Sequence, residues 1–266
     1  DLVLRYAPDA PDVVKRISFS VPSGSKLAIV GPTGSGKSSL FNAFLRLLEP
    51  QSGSIVIDGW NIGRIGLEDL RSRLYLVPQD PVILSGTLRS VLDVLGEFDD
   101  AKLLACLEAV HLVTDDNSAG KSPFSNLDMP IAESGSNLSQ GQRQLLCVAR
   151  ALLHKSRIVL FDEASSCIDY TTDMRITETV HQVFDKCTVI TIAHRLRTVI
   201  GYDKVMYMDH GKIMELDEPA KLLDDKSSHF YRLCKQTGPA EFQFLVEAAK
   251  QAASKRQAPP TIAASS

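Results

Sequence analysis

The chain has 266 residues, 44% of them hydrophobic and 23% charged, with a net charge of −3, enough to bury a full core as one large domain or as a core with a subdomain. Acidic and basic residues are interspersed, which argues against a nucleic-acid-binding face, and no apolar stretch reaches the roughly 18 residues that a bilayer-spanning helix needs. The five cysteines, Cys106, Cys147, Cys167, Cys187 and Cys234, form no Cys-x2-Cys pair and have no histidine at metal-ligand spacing; reduced, buried thiols in a cytosolic setting are expected, not a disulfide framework or a zinc site.

The chain opens at Asp1-Leu2-Val3-Leu4 with no initiating Met and no signal peptide, and is expected to be a piece of something longer. Leu2–Tyr6 and Ile17–Val21 predict short strands around a Pro-rich turn, Pro8 to Pro11, and Pro22-Ser23-Gly24 turns into a third strand, Leu27–Val30. The ring of Tyr6 suits stacking on a bound adenine, and it reads equally as an ordinary strand aromatic.

Directly after that strand stands Gly31-Pro32-Thr33-Gly34-Ser35-Gly36-Lys37-Ser38, followed by Ser39 and a helix-like run, Leu40 to Leu48. Strand, glycine-rich loop and helix in that order make a phosphate-binding loop. Gly31, Gly34 and Gly36 allow backbone conformations closed to residues with a Cβ, so that successive N–H groups converge on phosphate oxygens. The following helix points its positive end at the same place. Lys37 reaches the outer phosphates, and the Ser38 hydroxyl is placed to ligate Mg²⁺.

Further on, Gly53–Gly59 predicts a strand between glycine turns, and Leu74–Val77 another that ends at Pro78-Gln79-Asp80. Gln79 therefore stands where a buried strand emerges, the usual place for ligand-contacting groups in an open α/β sheet. From Gly86 to Lys155 apolar residues recur at helical spacing, through Thr87–Leu95 and Ala101–Leu112, with no β-branched run; a helical insertion is expected. Asp115 to Ser125 reads as a polar surface loop. Ser139, in Asn137-Leu138-Ser139-Gln140-Gly141-Gln142, is placed to cap a helix running to Leu153. The same hydroxyl, beside Gly141 at a helix N-terminus, equally makes a second anion site.

Ile158–Phe161 is an apolar strand that closes on Asp162 and Glu163. Two carboxylates there are costly unless they meet a cation or water. Beside a phosphate loop that cation is Mg²⁺, held by Asp162, while Glu163 faces an attacking water; an ordinary strand-end turn is the alternative. Thr171–Phe184 predicts an amphipathic helix and Thr188–Ala193 a buried strand with His194 at its end, read as a γ-phosphate contact. Asp209-His210-Gly211 joins two strands as a hairpin. The globular part is expected to close near Gln236, and 237–266 to form a short helix, with Phe242, Leu245 and Ala249 on one face, before a disordered tail.

Placed in this order, the pieces resemble the nucleotide-binding domain of an ABC transporter from Leu2 to about Gln236. Tyr6 stands as the adenine-stacking loop, Gly31–Ser38 as Walker A, Gln79 as the Q-loop, Leu138–Gln142 as the signature, Ile158–Asp162 as Walker B with Glu163 after it, Ser166-Cys167-Ile168-Asp169 as the D-loop, and His194 as the switch histidine. A finer resemblance, to subfamily C (the multidrug-resistance-associated proteins), rests on Gly66–Arg73, on Pro78–Pro81 with Ser85–Arg89, and on Gly141–Leu145. Within it the chain is most like the second nucleotide-binding domain, whose signature departs from Leu-Ser-Gly-Gly-Gln as Gln140 does here.

The resemblance implies an α/β fold with a P-loop (RecA-like) core, an N-terminal antiparallel β subdomain and an α-helical insertion at about 86–155, all within 1–236. It implies ATP and Mg²⁺, with Tyr6, Gly31, Thr33, Gly34, Ser35, Gly36, Lys37, Ser38, Ser39 and Gln79 at the nucleotide. Ser38, Gln79 and Asp162 would hold the metal, and Lys37, Glu163 and His194 would carry the chemistry. It implies head-to-tail pairing with another nucleotide-binding domain, to whose site this chain lends Ser139, Gly141 and Gln142, with Asp169 in the D-loop. The expected setting is the cytosolic face of a membrane, attached to transmembrane domains that export organic anions or thiol and glutathione conjugates. A nucleotide-sensing module that gates a channel or partner is the alternative. A soluble ABC ATPase is disfavoured because no heptads appear.

Overall fold

The computed structural model describes residues 1–113, 122–162, 177–180, 182–193 and 195–257. In chain order it begins with strands β1 (Leu2–Leu4), β2 (Val14–Ile17) and β3 (Lys26–Val30), helix α1 (Lys37–Phe44) and β4 (Pro50–Ser52). There follow β5 (Val56–Ile57), β6 (Trp60–Asn61), α2 (Leu67–Arg71), β7 (Leu74–Val77), β8 (Gly86–Thr87), α3 (Leu88–Leu92), α4 (Asp100–Ala109), β9 (Pro130–Ile131) and α5 (Gln140–Leu153). The rest is β10 (Ile158–Asp162), β11 (Thr188–Ile192), α6 (Leu196–Val199), β12 (Lys204–Asp209), β13 (Lys212–Asp217), α7 (Pro219–Asp224), α8 (His229–Lys235) and α9 (Pro239–Gln257). These elements fall into two compact units.

The first unit takes Asp1–Ser20, Lys26–Ile55 and Thr191–Ser266. Here β1 lies between β2 and β4, antiparallel to both, which is the expected N-terminal β layer. The strand expected at Ile17–Val21 lies instead at Val14–Ile17. Arg16 adopts φ 52° within it, and the register to β1 is irregular there, so Val14 and Ile17 both turn inward although three residues apart. Strict alternation misses such a bulge. The β12 strand runs antiparallel to β13 and parallel to β3, in register from Lys204↔Leu27 to Tyr207↔Val30. The β12–β13 turn has His210 and Gly211 both left-handed (φ 45° and 80°), as a tight hairpin requires. At the far end of the chain Phe230, Leu245 and Ala249 are fully buried, and α9 runs 19 residues where only a short helix was expected.

The second unit takes Val21–Ser25 and Val56–Ile190. Its β10 and β7 are parallel, from Ile158↔Leu74 to Phe161↔Val77. The strand expected between the Gly53 and Gly59 turns is present as the short β5; Asp58 and Gly59 both take positive φ (49° and 83°) and turn the chain, so that β6, just beyond the expected strand, pairs back on it as a hairpin. The helices α3, α4 and α5 meet through buried Leu88, Val91, Leu103, Leu107 and Leu146. Within this helical stretch the pair Gly86↔Ile131, Thr87↔Pro130 forms a ladder too short for composition to show. Residues 177–180 are helical; the expected Thr171–Phe184 helix up to position 176, and positions 115–121 of the expected surface loop, lie outside the described residues. Among the described residues no helix is long and apolar enough to cross a membrane.

Candidate nucleotide-binding site

The phosphate loop belongs to the first unit and is built by close backbone approach. A Cβ on Gly31 would lie 2.0 Å from the Met208 carbonyl oxygen, and one on Gly36 would lie 2.7 Å from that of Val13; both glycines also hold positive φ, 142° and 101°. No other residue fits either position. The Gly211 N–H donates to the Ser35 carbonyl at 3.1 Å, so the β12–β13 turn supports the loop from behind. Sequence reasoning found the loop and missed Val13, Met208 and Gly211, because nothing in their own residue types marks them.

Inside the loop, Lys37 is only 6% exposed, and its Nζ donates to the carbonyl oxygens of Gly31 and Pro32, each at 2.8 Å. Helix α1 starts at this lysine with Gly36 as its N-cap, which has no side chain to offer, and no acidic residue in its first turn. Neither the cap nor the first turn therefore neutralises the positive end of the helix, a local arrangement that suits an anion. Ser38 is exposed in the first turn, Thr33 and Gly34 are exposed in the loop, and Ser35 and Ser39 are buried. The Ser39 hydroxyl is 2.9 Å from that of Tyr6. Tyr6 is thereby tethered to α1 while 59% of it stays exposed.

In the second unit, the Phe161↔Val77 register brings the two chain segments that leave β10 and β7, with Asp162 on one and Gln79 on the other, to the same end of a parallel pair. Gln79 is exposed and Asp162 half-buried. Ser139 caps α5 as expected. Its Oγ accepts from the Gln142 N–H at 3.2 Å, while Gln142 Oε1 accepts from the Ser139 N–H at 2.9 Å, a full capping box. Ser139 remains exposed beyond that cap, and Gly141 is buried in the first turn. The helix is tied to the loop after Gln79 by Arg150, which donates to the carbonyls of Val82 at 3.1 Å and Val91 at 2.6 Å.

The Ser38 hydroxyl in the first unit, and the Gln79 amide and Asp162 carboxylate in the second, are each oxygen donors of the hard type that Mg²⁺ takes. No group of three or more His, Cys, Asp or Glu side chains that could hold a metal ion occurs among the described residues. Glu163, Asp169 and His194 lie outside the described residues. None of the described cysteines is in a disulfide; burial pushes the thiols of Cys106 and Cys147 up and that of Cys234 up to about 12. These three are protonated at neutral pH and play no nucleophilic part.

The profile of the ABC transporter family matches residues 14–166. The chain is 45% identical over 95% of its length to the ATP-dependent bile acid permease of Saccharomyces cerevisiae, and 46% identical over 96% of its length to human ATP-binding cassette sub-family C member 4. It spans only 16% and 19% of those proteins. Among solved structures it is similar to a bacterial Atm1-family ABC exporter with ATP bound, at TM-score 0.79 and 30% identity, over 90% of this chain and 41% of that one.

Proposed function

The chain belongs to the ABC transporter family, as an ATPase domain of the kind that family couples to transport, and on that premise we propose that it is the second nucleotide-binding domain of a subfamily C exporter. The observation that supports ATP binding is the start of α1 without a side-chain cap, with Lys37 drawn inside the loop beneath it; the likeness to a sub-family C member supports the rest. Residues 1–236 form the domain, with a helical subdomain at about 86–155. The domain sits on the cytosolic face of a membrane, attached to transmembrane domains of the same parent protein. Its cargo is organic anions or thiol and glutathione conjugates.

ATP binds with its phosphates on the loop N–H groups and Lys37, and with its adenine on the Tyr6 ring. Mg²⁺, which Ser38, Gln79 and Asp162 would hold, would supply charge to offset the phosphate oxygens. Lys37 and the α1 terminus favour the charge that builds on the γ-phosphate, His194 positions that group, and Glu163 orients and polarises the attacking water. Gln79, at the foot of the loop that Arg150 ties to α5, couples phosphate occupancy to the membrane domains. A second nucleotide-binding domain pairs head to tail with this one and receives Ser139, Gly141 and Gln142, with Asp169 between the two sites.

ATP turnover by the full-length parent in membranes, wild type against Glu163→Gln, with and without glutathione-conjugated dyes, tests this reading. Turnover that vanishes in the variant and rises with a conjugate in the wild type is expected. Normal turnover in Glu163→Gln would remove the role given to that residue. Tight ATP binding with negligible turnover in both would favour a nucleotide-sensing module instead.

A further inference from the structure

Helix α9 grips the segment between β11 and β12 at two places. Near its start, Glu241 accepts a bidentate pair from Arg197, the Nε donating at 2.6 Å, and the same guanidinium lies over the Phe244 ring, 4.1 Å from its centroid. Near its end, Arg256 donates to three consecutive carbonyls, those of Gly201 at 3.2 Å, Tyr202 at 3.0 Å and Asp203 at 3.4 Å. Its Nε is also 3.6 Å from one Asp203 carboxylate oxygen, while the other accepts the Lys26 N–H at 2.8 Å, at the foot of the strand that leads into the phosphate loop. Leu245 and Ala249 are buried between the two grips.

Burial of that apolar stripe is enough to dock a helix. The two arginines add something else. A forked guanidinium on a carboxylate fixes angle as well as distance, and Arg256 takes up carbonyls of the residues that follow α6. Together they determine where α6 sits along α9 and how it is turned about its own axis. Arg197 keeps the Glu241 carboxyl below its usual range, so the pair stays charged at neutral pH. The held segment begins at Arg195, the residue after His194, and on the other side the Ala193 N–H is fixed on the Ile29 carbonyl at 3.0 Å.

We propose that α9 is a brace for the hydrolytic step, with Glu241 and Arg256 as positioning residues that hold α6, and through it the chain beside His194, so that turnover depends on α9 being docked. The proposal rests on the reading of His194 as a γ-phosphate contact. It gives the C-terminal helix a control point on catalysis without a contact to nucleotide.

The test uses the full-length parent in membranes, with Glu241→Gln and Arg256→Ala each made in the wild type and in His194→Ala, and with ATP labelling of the membranes to show that each variant domain is folded. Each variant is expected to lower turnover at saturating ATP about tenfold, as a coupling of ordinary strength does, with KM for ATP moved less than about twofold. In His194→Ala neither should lower it further. The same fold-loss on both backgrounds, a change confined to KM, or unchanged turnover would overturn the brace while leaving His194 in place. Wild-type turnover in His194→Ala would overturn the His194 reading itself, and the brace with it. Exchanging the pair, Arg197→Glu with Glu241→Arg, is expected to recover part of the loss.

Discussion

Ser139 offers a test in which stability and turnover are pulled in opposite directions. Replacing it by Ala removes the oxygen that accepts the Gln142 N–H at 3.2 Å, while the reciprocal bond from the Ser139 N–H to Gln142 Oε1 can persist. Because the site is exposed, water replaces the lost acceptor, and the cost is that of one cap, about 1 kcal/mol. For a chain of this size that is a fall of about 2–4 °C in Tm. Asp at the same place caps as well as Ser and complements the helix dipole, so Ser139→Asp should keep the wild-type Tm. If Ser139 also meets the γ-phosphate bound by a partner domain, that carboxylate repels it, and turnover of the parent should fall below even that of Ser139→Ala. Thermal unfolding and ATP turnover would then rank the three proteins differently. Turnover that simply follows Tm, with Ser139→Asp as active as the wild type, would refute the trans-site role and leave only a cap.

Tyr6→Phe and Ser39→Ala each remove one end of the 2.9 Å bond that orients the Tyr6 ring; each is expected to weaken ATP binding by about 0.5–1.5 kcal/mol, and the double variant no more than either alone, as fluorescent ATP titration would show. Gly31→Ala forces a Cβ to 2.0 Å from the Met208 carbonyl at a positive φ, so a loss of at least about 3 kcal/mol is expected; a denaturant midpoint equal to the wild type would contradict the packing described. Arg197 depresses the Glu241 pKa, so the stabilisation from this pair is fully present above the unfolded carboxyl value of about 4.3 and is lost as pH falls through the lower folded value. Protection of the α9 amides, with exchange rates corrected for their intrinsic pH dependence, should therefore fall below about pH 4 in the wild type relative to neutral pH, and show no such step in Glu241→Gln; identical profiles would remove Glu241 as the cause.

Much of the candidate site was legible because its residues carry their meaning locally. A glycine-rich turn between an apolar strand and a helix, a serine ahead of an amphipathic run, and an apolar strand closing on two acids each have a short-range physical reason, and the first two stand where they were expected. The elements that were misread depend on a backbone choice that residue type does not announce. Arg16 in a left-handed conformation displaced a strand by three residues, and the turn at Asp58-Gly59 brought back a second short strand, β6, that was not expected.

Sequence by itself settled the phosphate loop, the β7 and β10 strands, the α5 cap and the family to which they point, since each follows from hydrophobic period, capping chemistry and glycine placement within a few residues. Only the tertiary structure decided that the Val13 and Met208 carbonyls press on Gly36 and Gly31, that the Gly211 N–H holds the loop from behind, and that α9 grips α6 through Arg197 and Arg256. These pairings join residues that stand from 23 to 177 positions apart in the sequence. Such contacts form between backbone groups and long charged side chains whose partners are chosen by the packing of whole elements, and no local pattern encodes that choice.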